Sequence, residues 1–283
     1  MKPYALAMDQ ALETSVVRVR GDVMTAVRDR VAIERPLQIR VRIGDDERAL
    51  STTMRTPGDD VALAVGFLHA EGVLAGVGAL RGAEQISDDS VRVELAPSAA
   101  AALAASTRVF VTSAACGVCG RADLDGLAGG RATAAGGDAR VTAAVIHALP
   151  GALRAAQATF ERTGGLHAAA LFSPDGTLVA VHEDIRRHNA VDKLVGRRLL
   201  AGKLPVTAGV LMLSGRASFE LIQKAEAAGI PIVAAVGAPS SLAVERAAAA
   251  GMTLLGFVRD GGFNVYCGAG RIAGLTNAGA DAA

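Results

Sequence analysis

Downstream of Thr142, apolar segments of helical period alternate with short β-branched runs. This constrains the fold most tightly, because strands interleaved with helices predict an α/β fold built on a covered, largely parallel sheet. A helix is predicted over 145–160. A hairpin follows, 167–172 and 178–182, joined by Ser173-Pro174-Asp175-Gly176, a turn-forming run. Next come a helix over 189–200, a strand over 209–213, a helix over 219–228 and a strand over 231–236. A helix over 242–250 and a strand pair, 253–258 with 263–267, complete the series.

Upstream the text differs. Residues 16–95 read as short strands, with alternation over 38–43 and a further strand at 91–95. One helix interrupts them: Asp59 is the expected N-cap of a segment over 61–70, whose Val61, Leu63, Ala64, Val65, Phe67 and Leu68 supply a buried face, and Gly72 ends it. Residues 97–106 are alanine-rich, and 108–112 read as a short β-branched strand. From Ser113 to Arg140 glycine and alanine dominate without periodicity, as expected of a long, mobile loop. The expected division is a β-rich N-terminal domain with one helix over 1–105, a CxxC loop region over 106–140, an α/β domain over 141–274 and a tail over 275–283.

The loop opens with Ser113-Ala114-Ala115-Cys116-Gly117-Val118-Cys119-Gly120. Thiolates are the nucleophiles of sulfur chemistry, and a nearby cation lowers a thiol pKa; Arg121 is such a cation. Gly117 and Gly120 free the backbone for left-handed conformations and clear space for a partner sulfur. Four readings stand: a thioredoxin-like redox pair, a zinc knuckle, a buried inert pair, and a sulfur-carrying or disulfide-forming loop. The first lacks a following amphipathic helix. The second lacks ligands, since only Cys267 and five histidines remain, so no structural metal is expected.

Strand ends of an α/β sheet are where ligands collect. Ser214-Gly215-Arg216-Ala217-Ser218 follows one predicted strand and Gly237-Ala238-Pro239-Ser240-Ser241 another, while Phe257-Val258-Arg259-Asp260-Gly261-Gly262 joins the last pair. Arg216 and Arg259 are candidates for pairing with a diphosphate, and the serines for helix capping. Neither GxxxxGK[ST] nor a strand-linked GxGxxG occurs. His167 lies in His167-Ala168-Ala169, without the glutamate of a zinc deaminase, and the CxxC precedes it. It can equally organise a turn, and His188 or Asn189 can cap the helix that follows.

Composition closes off other classes. The formal charge of +1, from 29 basic and 28 acidic residues, gives no general field for nucleic acid. Aromatics at 3% offer few stacking platforms. No apolar run nears the roughly 20 residues needed to span a bilayer, and the first twenty residues lack a signal-peptide pattern, so the expectation is a cytoplasmic protein without membrane partners.

Taken together, Arg55-Thr56-Pro57-Gly58-Asp59-Asp60, Gly66-Phe67 with Glu71-Gly72, and Cys116-Gly117-Val118-Cys119-Gly120 form an ordered pattern. It continues through Thr163-Gly164-Gly165 with His167-Ala168-Ala169, Arg187-His188-Asn189-Ala190 with Asp192-Lys193, Ser214-Gly215-Arg216 and Gly256-Phe257-Val258-Arg259. In these the chain resembles the formate dehydrogenase accessory sulfurtransferase family over about 31–272. The resemblance implies a cytidine-deaminase-like C-terminal domain and a homodimer. It implies that persulfide sulfur is taken from a cysteine desulfurase and passed to the molybdenum bis(guanine dinucleotide) cofactor destined for formate dehydrogenase. Cys116 is then the persulfide-bearing residue and Cys119 its partner. Phe257, Val258, Arg259, Asp260, Gly261 and Gly262 are expected to contact the guanine dinucleotide, with Arg216 nearby.

Overall fold

The computed structural model describes residues 9–110 and 139–275. They fall into two units that interleave in sequence: Met1–Gly130, Gln157–Ala168 and His182–Lys203 enclose the first, and Arg131–Ala156, Ala169–Val181 and Leu204–Ala283 the second.

In the first unit, β1 (Ala11–Arg20) and β2 (Val23–Ala32) form a two-stranded antiparallel hairpin. Four further strands, β3 (Arg35–Ile43), β4 (Asp46–Arg55), β5 (Leu80–Ser87) and β6 (Ser90–Leu95), form a sheet of order β4-β3-β6-β5, with β3 and β6 parallel. Alternation decides which face is covered: Leu37, Ile39 and Val41 of β3 and Val91, Val93 and Leu95 of β6 are buried, while Arg40, Arg42, Arg92 and Glu94 point the other way. Each fully buried aliphatic side chain contributes about 1.5–3 kcal/mol.

The predicted helix forms as Asp60–Ala70 and packs against helix Arg187–Leu200, which belongs to this unit although it lies far along the chain. Two glycines set the spacing. A β-carbon at Gly66 would lie 1.9 Å from the carbonyl oxygen of Asp192, and one at Gly196 would lie 1.8 Å from that of Ala62. The backbones meet where no side chain fits.

In the second unit a short parallel pair, β7 (Val141–Thr142) and β14 (Ile272–Ala273), stands apart from a six-stranded sheet. The sheet is made of β8 (His167–Phe172), β9 (Leu178–Asp184), β10 (Val210–Leu213), β11 (Ile232–Ala235), β12 (Thr253–Arg259) and β13 (Gly262–Cys267), in the order β13-β12-β11-β10-β8-β9, the first two residues of β8 and the last three of β9 being counted with the first unit. Helices Phe219–Ala227 and Ser241–Ala249 make the crossovers between β10, β11 and β12. Together the sheets and helices form a mixed α/β fold.

Three expectations change. The sheet is mixed rather than largely parallel: only β10, β11 and β12 run parallel to one another, because β12 and β13 are joined by a tight turn, and β8 pairs antiparallel with β10. Residues 108–110, read as the start of a strand, instead end a helix, Ala100–Phe110. Its alanines, the best helix formers, carry the helix into the β-branched stretch; residues 111–112 lie outside the described residues. The single helix over 145–160 is two, Ala143–Ala156 and Ala158–Thr163, broken at Gln157 (φ −85°, ψ 73°). The Glu183 carboxylate accepts the N–H groups of Thr159 and Phe160 at 2.8 and 2.7 Å, supplying the first-turn donors of the second helix with a partner. Among the described residues no helix is long and apolar enough to cross a membrane.

Candidate functional site

The carboxyl ends of β10, β11 and β12 are tied together beyond the strands. Val236 N–H donates to Leu213 O at 3.1 Å, Gly237 N–H to Gly215 O at 3.0 Å, and Phe257 N–H to Gly237 O at 3.2 Å. Ala217 N–H donates to Ala238 O and Ser240 N–H to Ala217 O, so the two loops pair as a short parallel bridge at Ala217 and Pro239. This shelf demands small residues. A β-carbon at Gly237 would lie 3.0 Å from Arg216 Cγ, and one at Gly256 would lie 2.8 Å from Pro239 Cδ and 2.9 Å from Tyr266 Cε2.

The shelf carries the heads of two helices. Ser240 caps Ser241–Ala249 through its hydroxyl, which accepts Ala243 N–H at 3.3 Å. Ser218 occupies the N-cap of Phe219–Ala227 and accepts Leu221 and Ile222 N–H through its carbonyl, without a side-chain cap. Helix N-termini at strand ends offer N–H groups to anions.

Phe257 adopts φ 52°, a left-handed conformation costly for a bulky side chain, at an irregularity in the pairing of β12 with β13. Asp260 (φ 53°) and Gly261 (φ 73°) make the turn, and Arg259 pairs in register with Gly262. The Arg259 guanidinium carbon lies 5.6 Å from the Phe257 ring centroid, and its Nε is 3.8 Å from Asp260 Oδ2, an exposed pair of little energetic weight.

Of the sequence-predicted residues, the structure brings together Arg216 and Phe257, each beside Gly237. Arg216, Arg259, Asp260, Gly261 and Gly262 are exposed and Phe257 is half-buried. The Val258 side chain is in the core, so it offers only backbone to a ligand. Cys116 and Cys119 lie outside the described residues. Cys267 is a free thiol with Sγ 3.4 Å from Met252 O; burial raises its pKa, which works against thiolate formation.

The first unit holds a polar frame that composition and periodicity did not reveal. Asp184, fully buried, accepts Lys193 Nζ at 2.8 Å, Thr56 N–H at 3.1 Å, Arg186 N–H at 2.9 Å and Asn189 Nδ2 at 3.1 Å. Lys193 Nζ also donates to Thr56 O at 2.8 Å. Asn189 therefore does not cap its helix; Arg186 takes the N-cap position. Arg55, also fully buried, makes a two-pronged pair with Asp60 at 3.0 and 2.8 Å and donates to Asp88 O at 2.7 Å. Lys193 stands three residues after Ala190 and just before Leu194, both buried, and a lysine on such a stripe signals a buried partner.

Asp59 is at the expected N-cap position, but in a left-handed conformation (φ 56°) and without a side-chain cap. Its carbonyl accepts Leu63 N–H, while its carboxylate binds His182 Nδ1 at 3.1 Å and the Arg197 guanidinium. The His182 hydrogen bond first, and then Arg197, hold its pKa well below the usual carboxylate range. His167 is half-buried, and burial, followed by the charges of Arg187 and His188, pushes its pKa down.

Residues 32–273 match the model of the FdhD/NarQ family. The chain is 49% identical over 272 residues to the sulfur carrier protein FdhD of Streptomyces coelicolor, covering 91% of this chain and 94% of that one. It is 48% identical over 257 residues to the sulfur carrier protein FdhD of Mycobacterium tuberculosis, covering 86% and 91%. A crystal structure from Desulfotalea psychrophila, of a protein described as a candidate formate dehydrogenase accessory protein, superposes with a TM-score of 0.74 at 23% identity. It spans 93% of this chain and all of its own, a similarity of fold.

Proposed function

The chain belongs to the FdhD/NarQ family, and from that membership we propose that it is a sulfur carrier that loads sulfur onto Cys116 and delivers it to a molybdenum bis(guanine dinucleotide) cofactor required by formate dehydrogenase. The observation that carries this reading is identity near one half, over nearly the whole chain, to relatives named sulfur carriers, in a sequence that holds the Cys116-Gly117-Val118-Cys119 pair.

In the loading step the Cys116 thiolate attacks the outer sulfur of a cysteine desulfurase persulfide. A new sulfur–sulfur bond forms at Cys116, the donor's sulfur–sulfur bond breaks, and the donor cysteine leaves as a thiolate, with no net redox change. Cys119 is the partner that shares or resolves the mixed species. The dinucleotide of the cofactor, a substrate here, is assigned to Arg216, to Phe257 and the Val258 backbone, and to Arg259, Asp260, Gly261 and Gly262. Support comes from the placement of two helix heads and the Arg216 and Phe257 positions at one set of strand ends. The assignment extends to a homodimer working in the cytoplasm, and to a cytidine-deaminase-like descent for the second unit, whose three parallel central strands and crossover helices suit it.

Incubation of the full chain with a cysteine desulfurase and cysteine should add one sulfur, about 32 Da by its atomic mass, on the peptide containing Cys116. Cys116→Ala should abolish that adduct and leave formate dehydrogenase inactive in cells lacking their own carrier. Full activity with Cys116→Ala would overturn sulfur transfer through this residue and leave a cofactor-binding chaperone.

A further inference from the structure

Two irregularities in the pairing of β12 with β13 turn aromatic side chains at the shelf. Leu254 and Leu255 are consecutive, yet they pair with Cys267 and Val265, so Tyr266 is an extra residue looped out of register. Between the pairs Gly256–Asn264 and Arg259–Gly262 the extra residue is instead on β12, beside the left-handed Phe257. A bulge bends its strand and re-aims the side chain it carries. Tyr266 is aimed across Gly256: a β-carbon there would lie 2.9 Å from Cε2 of its ring, 2.8 Å from Pro239 Cδ and 3.3 Å from Gly237 O. The ring edge therefore shares the space beside Gly256 with Pro239 and Gly237, and Gly237 in turn accepts Phe257 N–H and lies against Arg216. The chain just past the bulge is pinned, since the Thr253 hydroxyl donates to Gly268 O at 2.7 Å. Tyr266 is half-buried, and among the described residues its hydroxyl has no hydrogen bond and its ring no stacked aromatic or guanidinium. A partly exposed tyrosine whose polar end is unmet within the fold suits contact with something outside it.

We propose that Tyr266 stacks the purine base of the nucleotide assigned to the shelf, and so sets the site's preference for a base-bearing ligand over a bare phosphate. The inference rests on that assignment and adds to it a residue and the part of the ligand it meets. Arg216 and Arg259 offer charge, which a phosphate or diphosphate satisfies and a base does not. A base needs a planar, polarizable face, and the larger area of a purine stacks better than that of a pyrimidine. Of the two rings at the shelf, Phe257 already has the Arg259 guanidinium beside it, which leaves Tyr266 for the base. Gly256 keeps the space next to the ring clear of a side chain. Because the bulge and the Thr253–Gly268 hydrogen bond set this backbone in advance, little ordering remains to oppose binding.

Calorimetric titration of the full chain with GDP, alongside NMR of ring-labelled tyrosine, tests the inference. The chain has two tyrosines and no tryptophan, and Tyr4→Phe assigns the pair. At saturation GDP should move the Tyr266 ring signals upfield through the ring current of the stacked base, whereas pyrophosphate should not. Tyr266→Phe keeps the aromatic face and should bind GDP within about twofold of wild type, while Tyr266→Leu, which keeps only apolar cover, should bind roughly tenfold more weakly. Should Tyr266→Leu fold poorly, the ring shift in the wild-type chain decides alone. Wild-type GDP affinity in Tyr266→Leu, or an unmoved Tyr266 ring in the saturated wild-type chain, overturns the stacking and leaves the nucleotide site in place. Failure of the wild-type chain to bind GDP overturns the site and the stacking together.

Discussion

Arg55 and Lys193 are among the largest fully buried side chains of the first unit, whereas every residue of β10 and β11 at the centre of the second is apolar and buried. Hydrogen bonds and ion pairs are directional, so the first unit is held at particular atoms: Lys193 to Asp184 and Thr56, Arg55 to Asp60 and Asp88. Burial of aliphatic surface is not directional, and it tolerates exchange of one shape for another of similar volume. In the second unit Arg216, Ser240 and Phe257 stand at the strand ends, and its buried polar side chains, Lys224, Glu226 and Thr253, lie outside the two central strands. A polar interior fixes positions, and an apolar one frees its margin for ligands.

The contrast is sharpest for substitutions that conserve volume. Lys193→Met leaves Asp184 buried without its cation and should cost about 3–5 kcal/mol, read as loss of amide-exchange protection in peptides of the first unit. In the second unit Leu211→Met should cost below about 1.5 kcal/mol by the same measurement. Equal costs would erase the distinction between the two interiors.

The smallest effect concerns Asp59. Because its pKa is lowered in the folded state, its contribution to stability is fully present above the ordinary aspartate range near 4 and is lost as pH falls through the lowered folded value. Asp59→Asn should remove about 1 kcal/mol at neutral pH and flatten the acid limb of stability against pH. A variant whose acid limb matches the wild type would show that His182 and Arg197 gain nothing from this carboxylate.

Periodicity was enough to find the helix at 60–70, the hairpin of β8 and β9, and the order of strands and helices from 209 to 267. It could not tell that Arg187–Leu200 packs on Asp60–Ala70, because that pairing joins segments more than a hundred residues apart through Gly66 and Gly196, which carry no hydrophobic signal. The break at Gln157 was hidden for a similar reason, since the Glu183 carboxylate that starts the next helix comes from a distant strand. Capping by Asp59 failed because His182 and Arg197 compete for the same carboxylate. At the shelf, local sequence placed Arg216, Gly237 and Ser240 at strand ends, since each follows its strand directly. The left-handed Phe257 was not legible, being imposed by the irregular pairing of β12 with β13.

With a carbonyl oxygen where each missing β-carbon would be, Gly66 and Gly196 act as a keyed joint between two helices. Neither rod can roll or slide without driving one main chain into another, so the angle at which residue 187 is presented is inherited from residue 66. Variation at either glycine would therefore be felt a full two to three turns away, at the basic head of the second rod, as an error of aim.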